Sequence, residues 1–303
     1  MAKTHPFRFA VTIARAESGS AWRERARRLE DLGYSTMFIP DTLGGTLSPL
    51  PALSVAAGST SRLRVGGYVL VNDFRHPLQL AREAATLDML SDGRVELGMG
   101  AGRPGVEPEL EQLGLAVDSV GVRGDRLGEA VDIIKRLFAG EKVTTEGGFY
   151  RLTEAELYPR PVQAQGPPVL IAAGGRRALR RAGRQADIIA IAARPDATEE
   201  FLTERIGWVR EGAGARFDEI ELNTGLLFLP EGADLQVARR VARVDLDQVL
   251  ASPQSHPTLI TGSPDGMVEQ VEALRERFGL SYFNVGDHAA DVVAPLVARL
   301  AGS

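Results

Sequence analysis

Eight short runs rich in β-branched and apolar residues recur along the chain, each followed by helix-patterned sequence or a turn. They are Phe7–Ile13, Thr36–Ile39, Leu63–Val71, Arg94–Met99, Pro168–Ala173, Asp187–Ala192, Ile220–Leu229 and Ser281–Val285. Strands that alternate with helices become parallel neighbours, and eight such units within 303 residues favour closure over an open sheet. The expected fold is therefore α/β, a (β/α)8 TIM barrel spanning 1–303 as a single domain, with insertions after strands 4 and 7.

The segment Leu63 to Arg103 is the clearest unit. Leu80, Ala84, Leu87 and Leu90 fall at helical spacing between two strand-like runs, and the second run empties into Gly98-Met-Gly-Ala-Gly-Arg-Pro-Gly105. The glycines there leave backbone amides open to a ligand, which puts the expected site at this end of the strands. Ser20 is expected to cap a helix ending at Gly33, and Ser48-Pro49 and Ser263-Pro264 are cap-then-proline starts. Two connections, Gly100–Gln165 and Pro230–Gly262, exceed a plain repeat. Both contain helical pattern, as in Asp125–Leu137, and are expected to roof the site.

A chain with 44% apolar residues and no cysteine can bury a large core without disulfides. The N-terminus runs from Met1 to Pro6 directly into the first strand without a secretory apolar stretch, and no apolar run reaches membrane-spanning length. A cytoplasmic protein that does not engage a membrane is the expectation. A net charge of −5 with scattered arginines argues against nucleic acid as a partner.

In a barrel of this kind the chemistry sits just after each strand. Those positions are Ala14-Arg15, Asp41-Thr42, Asn72-Asp73, Gly100 to Arg103, Gly174 to Arg177, Ala193-Arg194, Leu229-Pro230 and Asp287-His288. Schiff-base chemistry needs a lysine there, but the only lysines are Lys3, Lys135 and Lys142. His5, His76, His256 and His288 are dispersed without ligand spacing, so no metal site is expected. Glycines, arginines and a few polar groups remain, a composition suited to a site in which a bound cofactor carries the reaction.

The strand Val169–Ala173, the pair Gly174-Gly175 and the helix start at Arg176-Arg177 place free amides, a helix dipole and cationic side chains at one point. A phosphate suits that point; the plainer reading is a tight turn with solvated arginines. Gly100-x-Gly-x-x-Gly105 matches a dinucleotide fingerprint formally, but no second strand follows and Asp125 opens a helix, so the match is read as fortuitous. Asp41 is either an acid–base or cofactor-contacting residue, or a cap for the turn Leu43–Thr46. His76 before Pro77 reads as a residue orienting a helix start, Asp287 as a strand-end group or a cap for the last helix, and Trp22 and Trp208 as packing residues.

Taken together, Leu29–Asp41, Val69–Pro77, Ala84–Gly102, Gly140–Tyr150, Pro159–Gln163, Ile171–Gly175 and Leu259–Pro264 resemble the luciferase-like flavin-dependent oxidoreductases, barrels that use FMN or the deazaflavin coenzyme F420. The resemblance covers nearly the whole chain. It implies a bulge in the third strand beneath the cofactor ring, with a cis peptide at Tyr68-Val69 and with Val71 nearby. It further implies that Ala173, Gly174, Gly175 and Arg176 receive the cofactor phosphate, and that Gly100, Ala101, Gly102, Arg103 and Val106 flank its chain and ring.

Asp41 and Thr42 stand where deazaflavin dehydrogenases of this group carry Asp-His, and Arg103 stands where those acting on sugar phosphate carry an acid. Sugar-phosphate activity is therefore not carried over, and Arg103 is a candidate contact for an anionic substrate. The favoured reading is hydride exchange between F420, or FMN, and a small organic substrate by a homodimer, as is common among such relatives. The alternatives are an FMN-dependent monooxygenase, a non-catalytic flavin-binding barrel or partner subunit, and a cofactor-free enzyme of phosphorylated sugars.

Overall fold

The computed structural model describes residues 5–303, so Lys3 and the rest of the first four residues lie outside the described part. Eight parallel strands form the barrel: β1 (Arg8–Thr12), β2 (Thr36–Ile39), β3 (Arg64–Gly67), β4 (Val95–Gly100), β5 (Val169–Ala173), β6 (Ile188–Ile191), β7 (Glu221–Gly225) and β8 (Leu280–Gly286). Each pairs with its neighbours in sequence, and β8 returns to β1, so that no edge is left unpaired. Around them run α1 (Gly19–Asp31), α2 (Pro49–Ala57), α3 (Pro77–Leu90), α4 (Val120–Phe138), α5 (Arg176–Gln185), α6 (Glu199–Ala213), α7 (Pro264–Phe278) and α8 (Ala290–Leu300). This is the expected (β/α)8 barrel.

Alternation along the strands sorts residues into two cores. Phe9, Val11, Met37, Ile39, Ile171, Ile189, Phe283 and Val285 belong to the core shared with the helices. Ala10, Phe38, Leu170, Ile188, Ala190 and Tyr282 form a second cluster, against which Tyr68, Val69 and Ala172 rest. At the N-terminal ends of the strands the interior is ionic: fully buried Glu96 is held by Arg8, by Arg64 at 2.8 Å and by the Tyr282 hydroxyl at 3.0 Å, while Arg8 also pairs with Glu221 at 2.7 Å. Burial alone would raise the Glu96 pKa, but Arg8 and Arg64 hold it below the ordinary carboxylate range.

Four local expectations need correction. The third strand is not continuous from Leu63 to Val71: it stops at Gly67 and resumes only as Leu70–Val71, paired with Met99 and Gly100. The seventh leaves the barrel after Gly225, and Leu227–Pro230 pairs instead with Leu259–Gly262 over a small separate core. Helix α4, which contains Asp125–Leu137, is not a roof but the ring helix of the fourth unit, packed between α3 and α5. The loop before it delays this ring helix by about twenty residues, from Gly100 to Val120. Finally, α1 is capped by Ser18, which accepts from the Ala21 amide at 3.1 Å, while Ser20 only bonds the Ser18 hydroxyl.

Candidate active site at the C-terminal mouth of the barrel

The turns after β4 and β5 converge. Ala101 and Gly102 face Ala173, Gly174, Gly175 and Arg176 across a cleft of about 430 Å³ that continues between α4 and α5. The α4 wall includes Gly121, Gly124 and Gly128 beside Val120 and Leu127, and the missing side chains at Gly124 and Gly128 make room for Arg181 of α5. Gly175 is the N-cap of α5, and no side chain caps it, whereas Ser119, Thr198 and Ser263 cap α4, α6 and α7. A Cβ on Gly175 would meet nothing within 4 Å, so the first-turn amides open on free space.

Beside the cleft the break in β3 forms a shelf. Its peptide Tyr68-Val69 is cis. The shelf leans on β4 because three glycines permit it: a Cβ on Gly66 would lie 2.4 Å from the Glu96 carbonyl oxygen, one on Gly98 1.9 Å from the Gly67 carbonyl oxygen, and one on Gly100 2.6 Å from Val69 Cγ2. Tyr68 stacks on Phe38 with ring centres 5.0 Å apart and donates its hydroxyl to Asn223 Oδ1 at 2.8 Å across the barrel. Burial raises the Tyr68 pKa, which keeps the phenol protonated. On the opposite wall, at the ends of β1 and β8, Thr12 donates to Asn284 Oδ1 at 2.9 Å, and both are only partly buried.

Other predicted residues are placed differently. Val71 and Val106 pack with Leu110 beneath the loop, so their side chains are not brought to the cleft. Asp41 is nearly buried and accepts from the Val71 amide at 3.0 Å and from Arg75 at 2.5 Å. It clamps the chain just after the shelf and does not cap Leu43–Thr46, where Thr46 donates to the Thr42 carbonyl at 2.8 Å. Arg103 folds back on its own loop and pairs with Glu109. Arg176 pairs with Glu211 at 3.2 Å and Arg177 with Asp125 at 2.8 Å. His76 caps α3, accepting from the Leu78 amide at 3.3 Å, and Trp22 is buried with its indole bonded to the Ala52 carbonyl, as expected of both. Asp287 is no cap for the last helix; it pairs with Arg25.

Sequence reasoning missed Asn223, Thr12, Asn284 and Glu109. The first three were findable, because they occupy the inward phase of strands whose inward phase begins at Glu221, Arg8 and Tyr282. Glu109 was not, since its partners come from two loops. Among the described residues no group of three or more His, Asp or Glu could hold a metal, and no helix is long and apolar enough to cross a membrane.

The comparisons with known proteins agree with this geometry. The chain is 35% identical over 227 residues to an F420-dependent glucose-6-phosphate dehydrogenase of Nakamurella multipartita, covering 71% of this chain and 66% of that protein. Two similar dehydrogenases, from Microbacterium testaceum and Beutenbergia cavernae, are matched over 48% of their length, so the chain spans about half to two thirds of these curated relatives. Among solved structures, the coenzyme F420-dependent tetrahydromethanopterin reductase from Methanopyrus kandleri superposes with a TM-score of 0.77 at 22% identity, covering 98% of this chain and 99% of that one. The luciferase-like monooxygenase family model matches residues 3–256, and with that match on a closed (β/α)8 barrel the chain belongs to the luciferase-like monooxygenase family.

Proposed function

We propose that the chain is an oxidoreductase that exchanges a hydride between coenzyme F420 and a small organic substrate at the mouth of the barrel. The observation that carries this reading is the uncapped start of α5 opening on the cleft that also holds Ala101 and Gly102. A phosphate there receives amide hydrogen bonds and the positive end of the helix dipole. Arg176 and Arg177 stand beside it. Their present partners are Glu211, which is exposed, and Asp125, which is half-buried and shared with Arg181; pairs at the surface such as that of Arg176 are weak enough to yield to a phosphate.

The residues fit the cofactor. The space before Gly175 is open, and the cleft runs from there to the β4 loop. The F420-dependent activities of the curated relatives support the deazaflavin over FMN. Bound there, the deazaflavin supplies or takes up the hydride. The protein supplies position: the Val69 shelf as a support for the ring, the α5 amides for the phosphate, and Asn284, oriented by Thr12, as an amide facing the mouth. The same reading takes the chain as a cytoplasmic homodimer without a nucleic-acid partner.

Titration of the purified chain with F420 and FMN, followed by fluorescence quenching, tests the assignment. F420 should bind more tightly. Gly175→Asp should place a carboxylate on the α5 amides, raising stability by about 0.3 kcal/mol while weakening F420 at least about tenfold. It should leave the phosphate-free deazariboflavin unaffected. Equal loss of both ligands would refute the phosphate placement, and tight FMN binding without F420 binding would refute the cofactor.

A further inference from the structure

Most arginines that follow the barrel strands are already neutralised. Arg75 is paired with Asp41, Arg103 with Glu109, Arg177 with Asp125, and Arg194 with Asp196 at 3.2 Å, while Arg15 donates to the Gly45 carbonyl. The Arg103 pair differs from the surface pairs. Glu109 is only 8% exposed and uses both oxygens, one for Arg103 and the other for the Leu43 amide at 3.1 Å. It therefore ties the loop after β4 to the loop after β2, on either side of the broken third strand. The rim beside this pair is apolar, since Leu43 and Leu47 are left 43% and 37% exposed.

We propose that Glu109 sets the substrate class. By holding the Arg103 charge against its own carboxylate, it takes that charge out of reach of a substrate, and the one cation left on the Leu43–Leu47 rim among the described residues, Arg15, is turned onto the Gly45 carbonyl. The substrate is then an uncharged alcohol or carbonyl compound rather than a phosphorylated or carboxylated one. An anion brought against Arg103 has to displace an acid that is buried and already tied to a second loop, and the displaced acid is left facing it. In the oxidative direction the alcohol's carbon-bound hydrogen leaves with its electron pair to the cofactor, and the hydroxyl proton goes to solvent, leaving the carbonyl compound. This rests on the hydride-transfer reading above.

The test uses the chain loaded with F420, with glucose 6-phosphate as the anionic probe and cyclohexanone as the uncharged one, each followed by the change in cofactor fluorescence. The wild-type chain should show saturable binding of cyclohexanone and none of glucose 6-phosphate. Glu109→Gln keeps an acceptor for the Leu43 amide but frees the Arg103 charge, and should bind glucose 6-phosphate at least about tenfold more tightly than the wild type. The double variant Arg103→Met, Glu109→Gln should lose that gain. Saturable binding of glucose 6-phosphate by the wild type would overturn the proposal, as would a Glu109→Gln chain that still binds F420 but gains no affinity for the anion. Absence of F420 quenching in the wild type would instead overturn the cofactor reading on which this one stands.

Discussion

The shelf beside the cleft exists because β4 lacks side chains where β3 breaks, and restoring a single methyl group should measure how tightly the two are fitted. Gly98→Ala would place a Cβ 1.9 Å from the Gly67 carbonyl oxygen and 3.0 Å from its carbon. To regain even 3.0 Å the carbonyl oxygen has to retreat by about 1.1 Å, and as backbone in a paired strand it cannot swing aside. Gly100→Ala meets only the Val69 Cγ2 atom at 2.6 Å, so about 0.4 Å of movement suffices. Overpacking of a filled interior costs roughly 1–3 kcal/mol and occasionally more. The first substitution belongs at the upper end, about 3 kcal/mol, and the second near about 1 kcal/mol.

Val69→Ala removes the methyl that Gly100→Ala strikes, so the double variant should recover about 1 kcal/mol relative to the sum of the single effects. Urea unfolding followed by circular dichroism gives the energies, and F420 quenching should weaken with Gly98→Ala. Two results would refute the reasoning: a Gly98→Ala chain within about 0.5 kcal/mol of wild type, or strict additivity of Gly100→Ala and Val69→Ala.

Asp41→Asn removes one charge of a nearly buried pair and leaves Arg75 without its partner, which should cost about 3 kcal/mol of stability. Loss of turnover at unchanged urea midpoint would show Asp41 to be a proton-transfer residue rather than the clamp on Val71. Burial pushes the Glu221 carboxyl up to about 7, with Arg8 pulling it down and Glu96 adding to the rise. A folded value above the unfolded one means that its contribution is complete below roughly pH 4.3 and is lost as pH rises through about 7. Glu221→Gln should therefore gain stability relative to wild type between about pH 5 and 8. Urea midpoints across that range check it, and a pH-independent difference would contradict the assignment.

Much of this molecule could be read before any contact was known. The eight strands are visible because each must carry apolar residues on its helix-facing phase whatever its neighbours are, and the (β/α)8 closure follows from their number and order. The meeting of Gly100–Gly102 with Gly174–Gly175 follows from the same order, because adjacent parallel strands put their C-terminal turns side by side. The position of the shelf came from family resemblance. The strands alone suggested a continuous run from Leu63 to Val71, since Gly66 and Gly67 look like weak strand residues until Gly98 is seen to need their carbonyl so close.

What only the tertiary structure decided is which charged groups cancel. Asp41 and Arg103 both sit at strand ends where chemistry was expected, yet one is taken up by Arg75 and the Val71 amide and the other by Glu109. Helical and strand periodicity depends on near neighbours along the chain and survives in any sequence window. Ion pairing depends on how loops without regular period fold back, within one connection for Arg103 and Glu109 and between two for Asp41 and Arg75, and no periodicity in the chain encodes that distance.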